Sequence, residues 1–115
     1  MMAADGYFIY NGGEAIIPFG VTRVRIDESL TVIPAAAFYE NLDIEELDCH
    51  DRVKTVESHV FRSCPSLRRV IMRGVKVVEC EAFDDCEALA HVECDKLERI
   101  GYGAFDGCKS LGSIN

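Results

Sequence analysis

Val75 to Cys94, VKVVECEAFDDCEALAHVEC, is the unit that the chain repeats, and every other segment falls into register when aligned on its Phe83. Phe38, Phe61, Phe83 and Phe105 follow one another at intervals of 23, 22 and 22 residues. Three residues after each stands Asn41, Cys64, Cys86 or Cys108, and six after stands Ile44, Leu67, Leu89 or Leu111. Nine after comes Leu47, Val70, Val92 or Ile114, and five before comes Ile33, Val56, Val78 or Ile100. One apolar template at a fixed period in the twenties marks a solenoid, in which a unit too small to bury its own apolar face buries it against its neighbours.

Alternation of apolar and polar positions places two short strands in each repeat. The first is Val24-Arg25-Ile26, then Leu47-Asp48-Cys49, Val70-Ile71-Met72, Val92-Glu93-Cys94, and finally Ile114. The second is Val32-Ile33, Thr55-Val56, Val77-Val78 and Arg99-Ile100. Between the second strand and the Ile or Leu anchor, a segment such as Ala36-Ala37-Phe38-Tyr39-Glu40-Asn41 has room for one turn of helix or 3₁₀ helix. The position three after the Phe suits a short polar or thiol side chain that hydrogen-bonds the turn backbone, Asn41 strongly and the cysteines weakly.

Residues 1–20 read as an N-terminal capping segment and 21–115 as about four repeats of a single solenoid domain. In the cap, Tyr7-Phe8-Ile9-Tyr10 and Glu14-Ala15-Ile16-Ile17 flank Asn11-Gly12-Gly13, which predicts a hairpin laid over the first repeat. The repeats stop at Ile114-Asn115 without an obvious cap, so the C-terminal edge is expected to be open to further repeats or to another copy.

With 115 residues and 49% hydrophobic content, the chain can bury a continuous core. Twelve Lys and Arg against twenty Asp and Glu give a net charge of −8, which disfavours nucleic-acid phosphates and anionic membrane surfaces as partners. The N-terminus has neither the basic region nor the apolar run of a secretory signal, and no stretch is apolar for long enough to insert in a membrane. An intracellular setting (cytoplasm, nucleus or organelle interior) is therefore expected. The six cysteines fit it: Cys64, Cys86 and Cys108 share one repeat position, Cys49 and Cys94 another, as buried free thiols would.

With Ala82-Phe83-Asp84-Asp85-Cys86-Glu87-Ala88-Leu89 and Ala104-Phe105-Asp106-Gly107-Cys108-Lys109-Ser110-Leu111, the chain resembles the BspA-like leucine-rich repeats from about Val21 to Asn115. The resemblance implies a mostly β, right-handed leucine-rich-repeat solenoid used for protein interaction, with no catalytic residues. Asn41 in place of the usual Cys and Val60 in place of the Ala before the Phe are departures. The Gly common ahead of the Ala-Phe pair stands only before Ala104-Phe105.

The outward residues of the first strands stack into columns: Arg23, Glu46, Arg69, His91, Ser113; Arg25, Asp48, Ile71, Glu93, Asn115; and Asp27, His50, Arg73, Asp95. Their alternating signs allow the charges to pair with one another on a solvated face, or to read a partner of complementary charge. The candidate partner-binding set on this strand-lined face is Arg23, Arg25, Glu46, Asp48, Arg69, Ile71, Arg73, His91, Glu93 and Asp95, with Ile71 as an exposed apolar anchor. No metal or other cofactor is expected, because alternation turns Cys49 and Cys94 inward while His50 and His91 point out. No nucleophile motif, phosphate loop or dinucleotide fingerprint occurs, so no catalytic residue is expected. Two functions remain: a scaffold binding another protein, identity unspecified, on its strand-lined face, or a structural piece that stacks on further repeats or self-associates.

Overall fold

The computed structural model of the chain describes residues 1–13 and 16–112. The described residues form a β-solenoid of about four turns built from short parallel strands. The strands are β1 Phe8–Tyr10, β2 Arg23–Ile26, β3 Val32–Ile33, β4 Glu46–Asp48, β5 Thr55–Val56, β6 Arg69–Ile71, β7 Val77–Val78, β8 His91–Glu93 and β9 Arg99–Ile100. One sheet runs in the order β1-β2-β4-β6-β8 and the other β3-β5-β7-β9. Each strand of the first sheet begins one residue or so before its expected start, and the register is the expected one: Leu47 lies against Val24 and Val70, and Val70 against Val92. Val24, Ile26, Leu47, Cys49, Val70, Met72, Val92 and Cys94 are all buried, so the alternation sends one set of side chains into the core.

The turn that carries the Phe differs from its expectation. No helix forms among the described residues, because two positions per turn are left-handed. Two residues before each Phe, Ala36, His59, Glu81 and Gly103 have φ between 54° and 63°. Two residues after it, Glu40, Ser63, Asp85 and Gly107 have φ between 56° and 74°. This conformation splits the backbone N–H groups into two sets. Those of Asn41, Cys86 and Cys108 close i→i+3 turns onto the carbonyls of Phe38, Phe83 and Phe105. Those of the Phe and of both left-handed residues point along the solenoid axis and donate to the next turn. Phe38 N–H bonds Val60 C=O at 2.9 Å, Phe61 bonds Ala82 at 2.7 Å and Phe83 bonds Ala104 at 2.8 Å. The accounting that a buried backbone demands is thus closed by a third ladder, between turns and outside both sheets.

Three such bonds per interface, each contributing about 1 kcal/mol net, roughly balance two non-glycine residues held left-handed at about 1 kcal/mol or more apiece. The surplus comes from apolar burial. Inside the ladder the rings stack, Phe38 on Phe61 at 5.1 Å between centroids, Phe61 on Phe83 at 5.0 Å and Phe83 on Phe105 at 5.1 Å, all within 14° of parallel. Tyr10 begins the stack, tilted by 54° at 5.0 Å from Phe38. The cysteine column closes the carbonyl side: Cys64, Cys86 and Cys108 donate their S–H to the Phe38, Phe61 and Phe83 carbonyls of the preceding turn at 3.0, 2.9 and 3.1 Å. The first turn has no Phe carbonyl beneath it. Asn41 stands there instead, its Oδ1 accepting from the Asp43 and Ile44 N–H groups at 2.9 Å each.

The N-terminal hairpin of 7–10 with 14–17 is not what caps the array. Glu14 and Ala15 lie outside the described residues, and Ile16 and Ile17 belong to no strand. Residues 8–10 instead join the first sheet parallel to β2, Phe8 opposite Val24 and Tyr10 opposite Ile26. The antiparallel partner comes from the other side: Met2 bridges Phe8, and Ile9 N–H bonds the Met1 carbonyl at 2.8 Å. A hairpin therefore covers the edge, built from residues 1–9 around Asp5-Gly6, where Gly6 at φ 87° makes the turn.

The stack makes a graded prediction. Phe61 and Phe83 are fully buried between two rings, so Phe61→Ala and Phe83→Ala should each cost about 3–5 kcal/mol. Phe105, half-buried with a ring on one side only, should cost distinctly less. Urea denaturation midpoints of the three variants check this, and equal midpoints would contradict it.

Candidate interaction surface

The first two charged columns form as the strand register requires, with Arg23, Glu46, Arg69 and His91 side by side and Arg25, Asp48, Ile71 and Glu93 beside them. Ser113 and Asn115 lie outside the described residues. Most of these charges pair within the chain. Arg69 lies 3.9 Å from Glu46, and Glu93 receives Arg73 at 2.8 Å and His91 at 3.3 Å. The hydrogen bond from His91, aided by Arg73, holds the Glu93 carboxyl below its ordinary range. The Arg and His partners are exposed and the Glu partners partly so, so each pair contributes little to stability, and their effect is to fix the charge pattern of the face. Asp48 and Asp95 have no ion-pair partner among the described residues.

Ile71 departs from its expected role. Its exposure is 4%, yet it stands outside the contiguous core cluster, on the outer side of the sheet. Its strand neighbours are Asp48 and Glu93, and its same-face neighbours along the strand are Arg69 and Arg73. Ile71 is therefore no exposed anchor, and an Asp there would bury a charge.

Arg23 and Arg25 are also committed within the chain, to a feature that the column pattern did not reveal. Both guanidinium groups lie over the Tyr7 ring, 4.8 and 4.4 Å from its centroid. Arg25 meets the Asp5 carboxylate at 2.7 Å, and Arg23 donates to the Asp5 carbonyl at 3.0 Å. A Cβ on Gly6 would come within 2.6 Å of the Arg23 guanidinium, which would have to shift, and the φ of 87° at Gly6 itself favours glycine. The other residues missed by the column pattern are Glu45 and Arg68, just ahead of the strands, where Arg68 lies 3.8 Å from Glu45 and 3.5 Å from Glu46.

The metal-type residues do not converge: among the described residues no group of three or more His, Cys, Asp and Glu is placed to hold an ion. Cys49 and Cys94 point into the core, while the His50 ring bonds the Asp27 carbonyl at 3.0 Å. All six thiols are unpaired, and burial pushes Cys94 up to about 11 and Cys108 up to about 12, away from thiolate chemistry. His59 meets Glu81 at 2.9 Å on the turn side, with Arg62 3.2 Å from Asp84 beside it. Among the described residues no helix is long and apolar enough to cross a membrane.

The tie between the N-terminal loop and the face titrates. Its hydrogen bond from Arg25 lowers the Asp5 pKa, so the tie is complete above the ordinary aspartate value of about 3.9 and is lost as pH falls through the depressed one. Following the Ile9 amide by NMR from pH 7 to pH 2 should show this release in the wild type and none in Asp5→Asn, where the charge is absent throughout. Identical profiles would mean that the loop is held by other contacts.

Comparison with known proteins places this geometry. The chain matches the BspA type leucine rich repeat region over residues 19–115. It is similar to the crystal structure of a leucine-rich repeat protein from Bacteroides ovatus, at 27% identity and a TM-score of 0.75 over 83% of this chain. A leucine-rich repeat protein of T. pallidum shares the fold at 19% identity and a TM-score of 0.63 over 99% of this chain. The chain spans 25% of the first of these structures and 66% of the second. Comparison with curated proteins gave no match. With its repeat template, its stacked turns and a family match over most of its length, the chain belongs to the BspA-type leucine-rich-repeat proteins.

Proposed function

We propose that the chain is a non-catalytic scaffold that binds another protein through its strand-lined face. The observation that carries this reading is the fixed charge pattern on a rigid sheet: a dry core holds five parallel strands in register, so outward charges recur at a pitch of about 4.8 Å. Such a face suits a partner with a complementary pattern of charges, and electrostatics then governs specificity and association rate. Its size sets a condition. Five strands span about 20 Å and three residues of each about 10 Å, which is well short of the roughly 800 Å² per partner in a stable interface. The partner must therefore span several turns and reach beyond the sheet.

A second reading, assembly through the last turn, is favoured by one observation. Ile100 is 53% exposed where its counterparts Ile33, Val56 and Val78 are fully buried. The N–H groups of Gly103, Phe105 and Gly107, which would continue the ladder, find no acceptor among the described residues.

The test of the first reading is a pull-down from cell extract using wild type and Glu46→Lys/Asp48→Lys, with folding checked by circular dichroism. The double variant should lose the proteins that the wild type retains, most visibly at low salt. Unchanged capture would move the site off this face, and sedimentation at rising concentration would then test the assembly reading.

A further inference from the structure

The strand-lined face has its one central apolar residue buried and most of its charges paired, so the exposed apolar surface must be sought elsewhere. Phe19 is completely exposed and Leu42 is 67% exposed, at the N-terminal end of the array on the side where the Phe turns lead into the first sheet. They line a groove of about 270 Å³ with Ile17, Pro18, Glu40 and Asp43. Glu40 and Leu42 also line a second groove of about 280 Å³, completed by Pro65, Asp85 and Glu87. The two adjoin at their shared residues. Four carboxylates border them and no Lys or Arg lines either. Asp43 accepts from the Gly20 N–H at 3.0 Å and Glu87 is paired with Lys109 at 3.0 Å, while Glu40 and Asp85 have no ion-pair partner among the described residues.

We propose that this groove docks an extended basic segment of a partner protein, with an apolar side chain seated between Phe19 and Leu42 and cations meeting Glu40 and Asp85. Charge complementarity selects the occupant: an acidic rim around exposed apolar carbons attracts Lys or Arg flanking an apolar anchor and repels nucleic acid and anionic lipid. The spacing selects it further. Glu40, Ser63 and Asp85 occupy the same position in successive turns, so Glu40 and Asp85 are two turns, about 10 Å, apart along the axis. In an extended peptide, residues three apart lie at the same distance, about 3.3 Å per residue. Phe19 lies one turn before Leu42, as the Gly20 N–H bond to Asp43 shows, so the apolar seat is outside the Glu40–Asp85 span and a Lys-x-x-Lys segment with a Leu just beyond the Lys that meets Glu40 matches the groove. Its testing touches no residue of the strand-lined face, so the two proposals stand or fall separately.

The probe is a fluorescein-labelled decapeptide carrying two Lys three residues apart with a Leu just outside the pair, with a control in which both Lys are Glu, read by fluorescence anisotropy at physiological salt. The wild type should bind the Lys peptide and not the Glu peptide. Phe19→Ser and Leu42→Ser, both at exposed positions that leave the core intact, should each weaken binding about tenfold. Glu40→Lys/Asp85→Lys should reverse the preference between the peptides, and Glu98→Lys, an exposed acid elsewhere, should leave it unchanged. Failure of the wild type to bind would overturn the proposal. So would undiminished binding by both Ser variants, or equal loss in Glu98→Lys, either of which means unspecific attraction to an acidic protein.

Discussion

A turn that stacks on copies of itself must place its backbone hydrogen bonds along the stacking direction, and this requirement governs the rest of the molecule. A helical turn would spend its N–H groups internally and offer little to its neighbour. Left-handed residues on either side of each Phe break that pattern and aim the Phe N–H, with its two flanking partners, at the next turn. Once those bonds set the separation, the Phe rings lie about 5 Å apart, near-parallel, and the cysteine thiols come within reach of the Phe carbonyls behind them. The sheets follow at the same pitch. Within the Phe turns the ladder has one direction, because the N–H groups of the Phe and of both left-handed residues all donate to the following turn.

The period, the buried positions and the strand register were legible in the sequence because all three rest on apolar residues repeated at fixed spacing. The left-handed turns were not. Only Gly103 and Gly107 advertise them, while Ala36, Glu40, His59, Ser63, Glu81 and Asp85 adopt the same conformation without a glycine. The N-terminal cap was misread for a related reason. Phe8 pairs with Val24 across a 16-residue interval instead of 22 or 23, so β1 lies outside the period and resembles a hairpin arm. Ile71 shows a third limit: alternation places it outward, but its exposure is set by the surrounding outer side chains, which a pattern of apolar residues does not encode.

These differences bear on function. Of the two readings that the alternating columns allowed, the charges are largely paired with one another, and the first two arginines hold the N-terminal loop. What the solenoid offers a partner is therefore a fixed pattern on a narrow sheet, with apolar contact available to one side of it, at Phe19 and Leu42. A rigid array suits that division, since residues from different turns keep their mutual distances whether or not a partner is bound.

Amide hydrogen exchange tests the turn ladder most directly. Phe38, Phe61 and Phe83 donate their N–H to a following turn, whereas Phe105, in the same sequence position and the same local conformation, has no acceptor among the described residues. The account predicts strong protection of Phe61 and Phe83, approaching that of global unfolding, with Phe105, Gly103 and Gly107 exchanging orders of magnitude faster. Comparable protection at Phe105 and Phe83 would show that the turn protects its own amides, and that bonding between turns does not organise the fold.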